Sequence, residues 1–433
     1  MSEINVNVHY ITRVEGHGNI ILNAEDGTIK QLRLDIVEAP RFFESFLRGV
    51  NYKDVAYVAS RVCGICSIGH NNSSIKATEA AFDIEVSKQT KLLRKLMMHG
   101  ENLQSHSLHV YFLAAPDFFG VPSVFPLIKS NPNVVKLALK MKRLANDLSD
   151  LSAGRTVHPL RNIVGGVTMV PAKEELNLMK KRLIDAKADI EFTANLFRKS
   201  VKIPDYERET EYIALSSESE YAIYEGRITS SDGFQQVDDL NYKNMIKEFV
   251  VSHSTAKHAK NKRNSYMVGA LARCNLNFKL LSPFAKKIAG IINFTVPCYN
   301  PFKNTYAQLI EMAHSVEDSI QIIDYFLNNG FKEPLRVDFK IKPGRGVGVT
   351  DVPRGILFHE YEYDEKGNII SANLVIPTAQ NLENIEDDMR KFTPIWIKEG
   401  KSQDEIRQLL EMLVRAYDPC ISCSAHILNI KFE

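Results

Sequence analysis

Two Cys-x-x-Cys pairs stand at opposite ends of this chain, Cys63/Cys66 near its start and Cys420/Cys423 near its end. Each pair places two sulfurs within reach of one ion, and two such loops make a four-sulfur set suited to soft or borderline metals. The set forms only if the fold brings the two ends of the chain together. With 433 residues, the chain is long enough for two or three domains or one large fused core. The start, Met1-Ser2-Glu3, lacks a basic stretch followed by an apolar one, so no signal peptide is expected and the cytoplasm is the expected compartment. In such a chain this cysteine pattern reads as metal binding or redox chemistry rather than a disulfide framework. Spacing alone favours a structural zinc, with a redox disulfide pair as the next reading. Lys+Arg 54 against Asp+Glu 52 leaves +2, which gives no push towards nucleic acid or an anionic membrane. No apolar run is long enough for a membrane span.

Periodicity predicts an α+β chain: a core of long buried helices carrying smaller β regions. Alternation over Ile4–Ile11, Asn19–Ala24 and Thr28–Val37, with Asp26-Gly27 between the last two, predicts an N-terminal sheet with a hairpin. From about Ser74 the period changes. Leu92, Leu96, His99, Leu103, His106, Val110 and Leu113 recur at steps of four and three, the inward stripe of a buried helix. Helical periodicity also runs through Asn133–Asp150, Ala172–Val201 and Thr305–Asn329, the last stopped by Gly330. Ile406, Leu409, Leu410 and Leu413 mark a final helix before Pro419. Stretches 211–232 and 356–376 read as strand, the second with a turn at Asp364–Gly367. The expected division is an N-terminal β region with the first cysteine pair (1–72), a helical core (73–205), a mixed region (206–300), a helix, β-hairpin and second pair (301–426), and a tail (427–433).

The residues around the cysteines narrow the chemistry. They read Arg61-Val-Cys63-Gly-Ile-Cys66-Ser-Ile-Gly-His70 and Asp418-Pro-Cys420-Ile-Ser-Cys423-Ser-Ala-His426. At every fixed position both resemble the paired signatures of the nickel–iron hydrogenase large subunit. Arg13-Val-Glu15-Gly-His17, Pro353-Arg354-Gly355 and Pro377-Thr378 resemble further motifs of that family, in the expected order. Glu38–Glu44 and the chain length are most similar to its cytoplasmic group 3 branch, the methyl-viologen-reducing type.

The resemblance implies a catalyst of reversible heterolytic H₂ cleavage. Cys63 and Cys420 would be terminal nickel ligands, while Cys66 and Cys423 would bridge to an iron carrying carbonyl and cyanide. Glu15 would relay the proton. Arg354, with Asp418 and Asp117, would form a canopy over the open coordination position, and Thr378 would hydrogen-bond a cyanide. His70 would donate towards a bridging sulfur. Glu44, the Leu374 carbonyl and His426 would hold a hard cation, Mg²⁺ by its oxygen ligands and water. Four of these residues also have a plainer reading: Glu15 paired with Arg13 or a nearby Lys, Arg354 as a surface or turn residue, Asp418 as a turn start, His70 as a fourth ligand or a core histidine. Ile427–Glu433 would be a tail removed after His426 by a maturation endopeptidase.

All four motif cysteines are used at one centre, so the electrons need a partner. The resemblance implies an iron–sulfur small subunit, with a further electron-transfer subunit beyond it. A related subunit without hydrogenase activity and a zinc-stabilised scaffold are the alternatives; the first is expected to lack some of these cysteines. His99, His106 and His109 read as core histidines, and Cys274 and Cys298 as buried thiols. Gly344-Arg-Gly-Val-Gly348 lacks the spacing of a phosphate loop. The Lys257–Arg263 cluster reads as a solvated or subunit-facing surface.

Overall fold

The computed structural model describes residues 3–425; the expectations for His426 and the tail 427–433 lie outside the described residues. Three antiparallel strands open the chain: β1 (Glu3–Val8), β2 (Gly18–Glu25) and β3 (Thr28–Ile36). Alternate burial turns Ile4, Val6 and Val8 inward. Asp26 and Gly27 both take positive φ, 48° and 77°, the geometry of a tight two-residue hairpin. β1 stops short of Ile11, whose amide still bonds the Gly18 carbonyl at 3.0 Å.

Helix α1 (Ser67–Ala81) starts directly after Cys66, well before the change of period at Ser74. Nearly all of its faces are buried, and small polar residues such as Ser67, Ser73 and Ser74 line it, so it lacks the apolar stripe that announces a helix. Helix α2 (Lys88–Leu108) has its inward stripe, then widens into a π-helical turn over His109–Ala114. There the Leu113 carbonyl accepts a hydrogen bond from Arg13 at 2.5 Å. Helices α3 (Pro132–Ala153) and α4 (Lys173–Ser200) follow. The mixed region holds β4 (Glu211–Ser216), β5 (Arg227–Ser230), a small hairpin of β6 (Lys247–Phe249) and β7 (His258–Lys260), and helix α5 (Ala270–Asn277). Helix α6 (Asn304–Asn329) packs against α2 and α4 and ends at Gly330.

The second large sheet is β8 (Gly344–Val352), β9 (Gly355–Tyr363) and β10 (Ile369–Val375), antiparallel in that order. Its glycines have a packing purpose. A Cβ on Gly346 or Gly348 would lie 2.1 Å from the Ala77 carbonyl oxygen or 2.0 Å from that of Ser73, so β8 can press backbone to backbone on α1. Helices α7 (Pro377–Lys398) and α8 (Gln403–Ala416) complete the described chain before a short turn at Ile421–Ser424. Helix α7 is not visible in the periodicity, because Pro377-Thr378 reads as a turn and Pro394 sits inside the helix. Its buried face carries Leu382, Ile385, Met389, Phe392 and Trp396.

The two ends of the chain meet through backbone. Glu15 and Cys420 form a parallel bridge, the Ile421 amide bonds the Glu15 carbonyl at 2.9 Å, and the Arg41 amide bonds the Ala425 carbonyl at 2.9 Å. Gly16 allows this approach: its φ is +85°, and a Cβ there would lie 2.8 Å from Ile421 Cβ and the Ser422 nitrogen.

Candidate active site

This junction brings all four motif sulfurs together. Ligand atoms of Cys63, Cys66, Cys420 and Cys423 lie within 4.8 Å of one another, and all four residues are buried. Cys63 Sγ is 3.5 Å from Cys420 Sγ, and the amides of Ile65 and Cys66 donate to Cys63 Sγ at 3.2 and 3.1 Å. Burial opposes ionisation of Cys63, yet hydrogen bonds from Cys420, Cys423 and Cys66 and the Arg354 charge hold its thiol well below the usual range. Burial pushes the Cys423 thiol up. Thiols bind a metal as thiolates, so loading this donor set releases protons.

Glu15 reaches this cluster from the N-terminal side. One carboxylate oxygen accepts from Cys420 Sγ at 3.1 Å and from the Ser422 amide at 3.1 Å, and the other accepts from the Ser422 hydroxyl. The residue is half-buried, so its carboxylate bridges between sulfur and a wetter region. Arg354 approaches from the β8–β9 turn. Its Nε donates to the Asp418 carbonyl at 2.7 Å and its Nη2 to Asp418 Oδ1 at 2.9 Å. Its third nitrogen, Nη1, is buried with no hydrogen-bond partner among the described residues. Burial works against the guanidinium charge, but Asp418 and the sulfurs of Cys420, Cys66 and Cys63 hold it protonated. Thr378, at the start of α7, accepts from the Cys420 amide at 2.9 Å, which leaves its own hydroxyl proton available.

His70 sits on α1, one turn past Cys66. Burial lowers its pKa to about 4, so the ring is neutral. Its Nδ1 lies 2.9 Å from His359 Nε2, and its Nε2 is buried without a partner among the described residues. Asp117 stands elsewhere in the hydrogen-bond network. It pairs with Arg13 and with Arg415 at 2.8 and 2.9 Å, and with them lines a surface cavity of about 630 Å³. Asp418 instead takes its second oxygen's hydrogen bond from Gln308, at 3.0 Å.

Glu44 is buried, and burial raises its pKa against the pull of Lys257. One oxygen accepts from the Leu374 amide at 2.9 Å, and the other has no partner among the described residues. A narrow cavity beside Leu374 is lined also by Glu248, Lys257, Ile376, Ala379 and Ser424.

Two contributors escape a reading of the sequence. Glu101 on α2 accepts from the Ile68 amide at 2.6 Å and the Gly69 amide at 3.0 Å, anchoring the N-terminus of α1 just past Cys66. Burial raises its pKa to about 8. A Glu within a long apolar-striped helix is the available signal. His359 links His70 to the Tyr361 hydroxyl at 2.6 Å, and only its inward register on β9 hints at this.

Comparison with known proteins identifies the family and the fold. The sequence pattern of the family described as nickel-dependent hydrogenase matches residues 41–134 and 253–426. The alpha subunit of sulfhydrogenase 1 from Pyrococcus furiosus is 33% identical over 426 residues, spanning 98% of either chain. A subunit of the F420-non-reducing hydrogenase from Methanothermobacter thermautotrophicus is 31% identical over 447 residues, spanning 97% of this chain and 94% of its own. Among solved structures, an NAD+-reducing NiFe-hydrogenase in its H₂-reduced state superposes with a TM-score of 0.87 at 25% identity, covering 98% of this chain and 99% of that one.

Proposed function

Because the chain belongs to the nickel-dependent hydrogenase family, we propose that Cys63, Cys66, Cys420 and Cys423 hold a nickel–iron centre at which H₂ is cleaved reversibly into protons and electrons. The observation that carries the proposal is the meeting of four buried sulfurs from both chain ends with a carboxylate 3.1 Å from one of them. Cys63 and Cys420 would hold the nickel, and Cys66 and Cys423 would be shared between nickel and iron. When bound, the metal pair, with carbonyl and cyanide on the iron, supplies the polarisation that splits H₂ heterolytically.

The protein's own groups move the proton and hold the charges in place. The Cys420 sulfur takes up the released proton and passes it to Glu15 Oε2, 3.1 Å away. The contact is short enough for direct transfer, and the Ser422 amide and hydroxyl hold the acceptor in place. Arg354 stays fixed by Asp418 while Nη1 points a charged donor at the reaction space. The Thr378 hydroxyl would donate to a cyanide on the iron. His70, held neutral and oriented by His359, donates from Nε2 towards a bridging sulfur. Asp117 acts one step behind this canopy, as counter-charge to Arg13 and Arg415. The unpartnered oxygen of Glu44 suits a hard cation such as Mg²⁺ next to Leu374.

The four motif cysteines are consumed here, so electrons leave through an iron–sulfur small subunit, then through a further electron-transfer subunit. The relatives are each named as one subunit of a hydrogenase, which accords with a multi-subunit enzyme. The test is infrared spectroscopy with metal analysis on the complex purified with its native partners. Carbonyl and cyanide bands with equimolar nickel and iron are expected, and Cys420→Ser abolishes both bands and turnover. Zinc alone, without such bands, from a host able to mature hydrogenases would overturn the proposal in favour of a scaffold.

A further inference from the structure

Away from the sulfurs, a second set of ligand side chains converges. His253 in the β6–β7 loop, His258 at the start of β7 and Glu386 on α7 each bring one ligand atom within 4.8 Å of the others. His258 and Glu386 are buried, and the His253 side chain is 19% exposed. None of the three has a part in the reaction above.

The His258 ring is oriented from behind. Its Nδ1 lies 2.7 Å from Glu383 Oε2, one helical turn from Glu386. A carboxylate behind Nδ1 fixes the proton there and leaves the lone pair on Nε2. That Nε2 is buried and has no hydrogen-bond partner among the described residues. Leaving such a group unsatisfied costs about 1–3 kcal/mol, so its direction calls for a ligand. The second imidazole is already in place: His253 Nε2 lies 2.8 Å from Glu386 Oε1, and the two histidine rings meet edge to face at 5.7 Å.

We propose that His253, His258 and Glu386 bind one divalent transition-metal ion of the zinc class, clasping the β6–β7 loop to helix α7. Two imidazoles and a carboxylate suit such an ion, with water in the fourth position. Bonds of about 2.0–2.1 Å in a tetrahedral site set ligand atoms about 3.3 Å apart, so the 2.8 Å contact opens slightly and the wider separations, all within 4.8 Å, close to complete the set. The clasp sits where three parts of the chain join. Thr255 bonds the Ile36 carbonyl through its amide and hydroxyl at 3.1 Å each, and the Leu34 amide donates to Glu386 Oε1 at 2.9 Å. Arg390 Nη2 supplies positive charge to Glu386 Oε2 at 2.5 Å. Arg390 is 42% exposed and can turn outward when the ion enters.

The test uses the intact, untagged multi-subunit complex with its nickel and iron in place. It is treated with a mild chelator and titrated with Zn²⁺, read by elemental analysis and zinc-edge X-ray absorption. One zinc per chain is expected, with nitrogen and oxygen neighbours including two imidazoles. His258→Gln is expected to weaken zinc binding at least tenfold, and Arg390→Gln to tighten it several-fold. Nickel and iron contents are unchanged in both variants. No retained zinc, zinc with sulfur neighbours, or binding unaltered by His258→Gln would overturn the site. Should His258→Gln not accumulate as folded protein, the Arg390→Gln titration decides: unchanged or weaker zinc binding refutes the clasp.

Discussion

Three buried arginines, two in the helical core and one above the sulfurs, share a chemistry and differ in how completely it is satisfied. Arg94 spends all five N–H donors, on Glu79, Asn162, Tyr224 and the Ile163 carbonyl. Arg273 does the same with Glu311, Asp351 and the carbonyls of Val352 and Pro353. Arg354 is equally deep, yet only Nε and Nη2 are used, both on Asp418. A closed network holds a fold together, because each buried charge has its counter-charge and each proton its acceptor. A buried donor left open beside the four sulfurs costs stability, so Arg354 Nη1 is placed for something other than holding the fold.

Breaking a closed network produces the largest effect on stability. Arg273→Met strands Glu311 and Asp351, and we expect a loss of about 3–5 kcal/mol in chemical denaturation. A loss below about 1 kcal/mol would erase the distinction between core and site. Arg354→Lys is expected to cut H₂ turnover on the order of 100-fold, the usual effect of removing one positioned donor, with nickel and iron still bound. Parallel loss of stability and metal, with no separate loss of turnover, would make Arg354 one more structural arginine.

The third effect concerns the core's pH response and shows as a slope. His314, on α6, is buried beside Tyr221 and accepts from the Ser282 amide at 3.2 Å. Burial lowers its pKa from 6.5 to about 4. Between these values the unfolded chain binds a proton that the folded chain refuses. Its stabilising contribution is complete above 6.5 and is lost as pH falls towards 4, by about 1.4 kcal/mol per pH unit. His314→Gln keeps an acceptor for Ser282 and removes that proton from the balance. Stability measured across this window should fall less steeply in the variant by one proton, and an unchanged slope would show that His314 is protonated in the fold.

Much of the architecture is legible locally. Asp26-Gly27 announces its hairpin, and Gly330 ends α6 as its position after a periodic stretch implies. The hidden parts depend on contacts distant in sequence. Helix α1 has no stripe because protein surrounds it on nearly every side, and α7 hides behind two prolines. The glycines of β8 look like a failed phosphate loop, and their spacing of two makes sense only once Ser73 and Ala77 lie against them. Glu101 and His359 show locally only that they face inward, and not that they reach the cysteine loop and His70.

By itself the sequence determined the family, the α+β class and which four cysteines belong together, since residue chemistry at short spacing is carried by the chain itself. Tertiary structure alone decided that Glu15 stands 3.1 Å from Cys420 and that Asp117 answers Arg13 and Arg415. It also decided that two histidines from one hairpin face a glutamate on α7. Those relations join residues far apart in the chain, and only the packing of helix on sheet sets the distances between them.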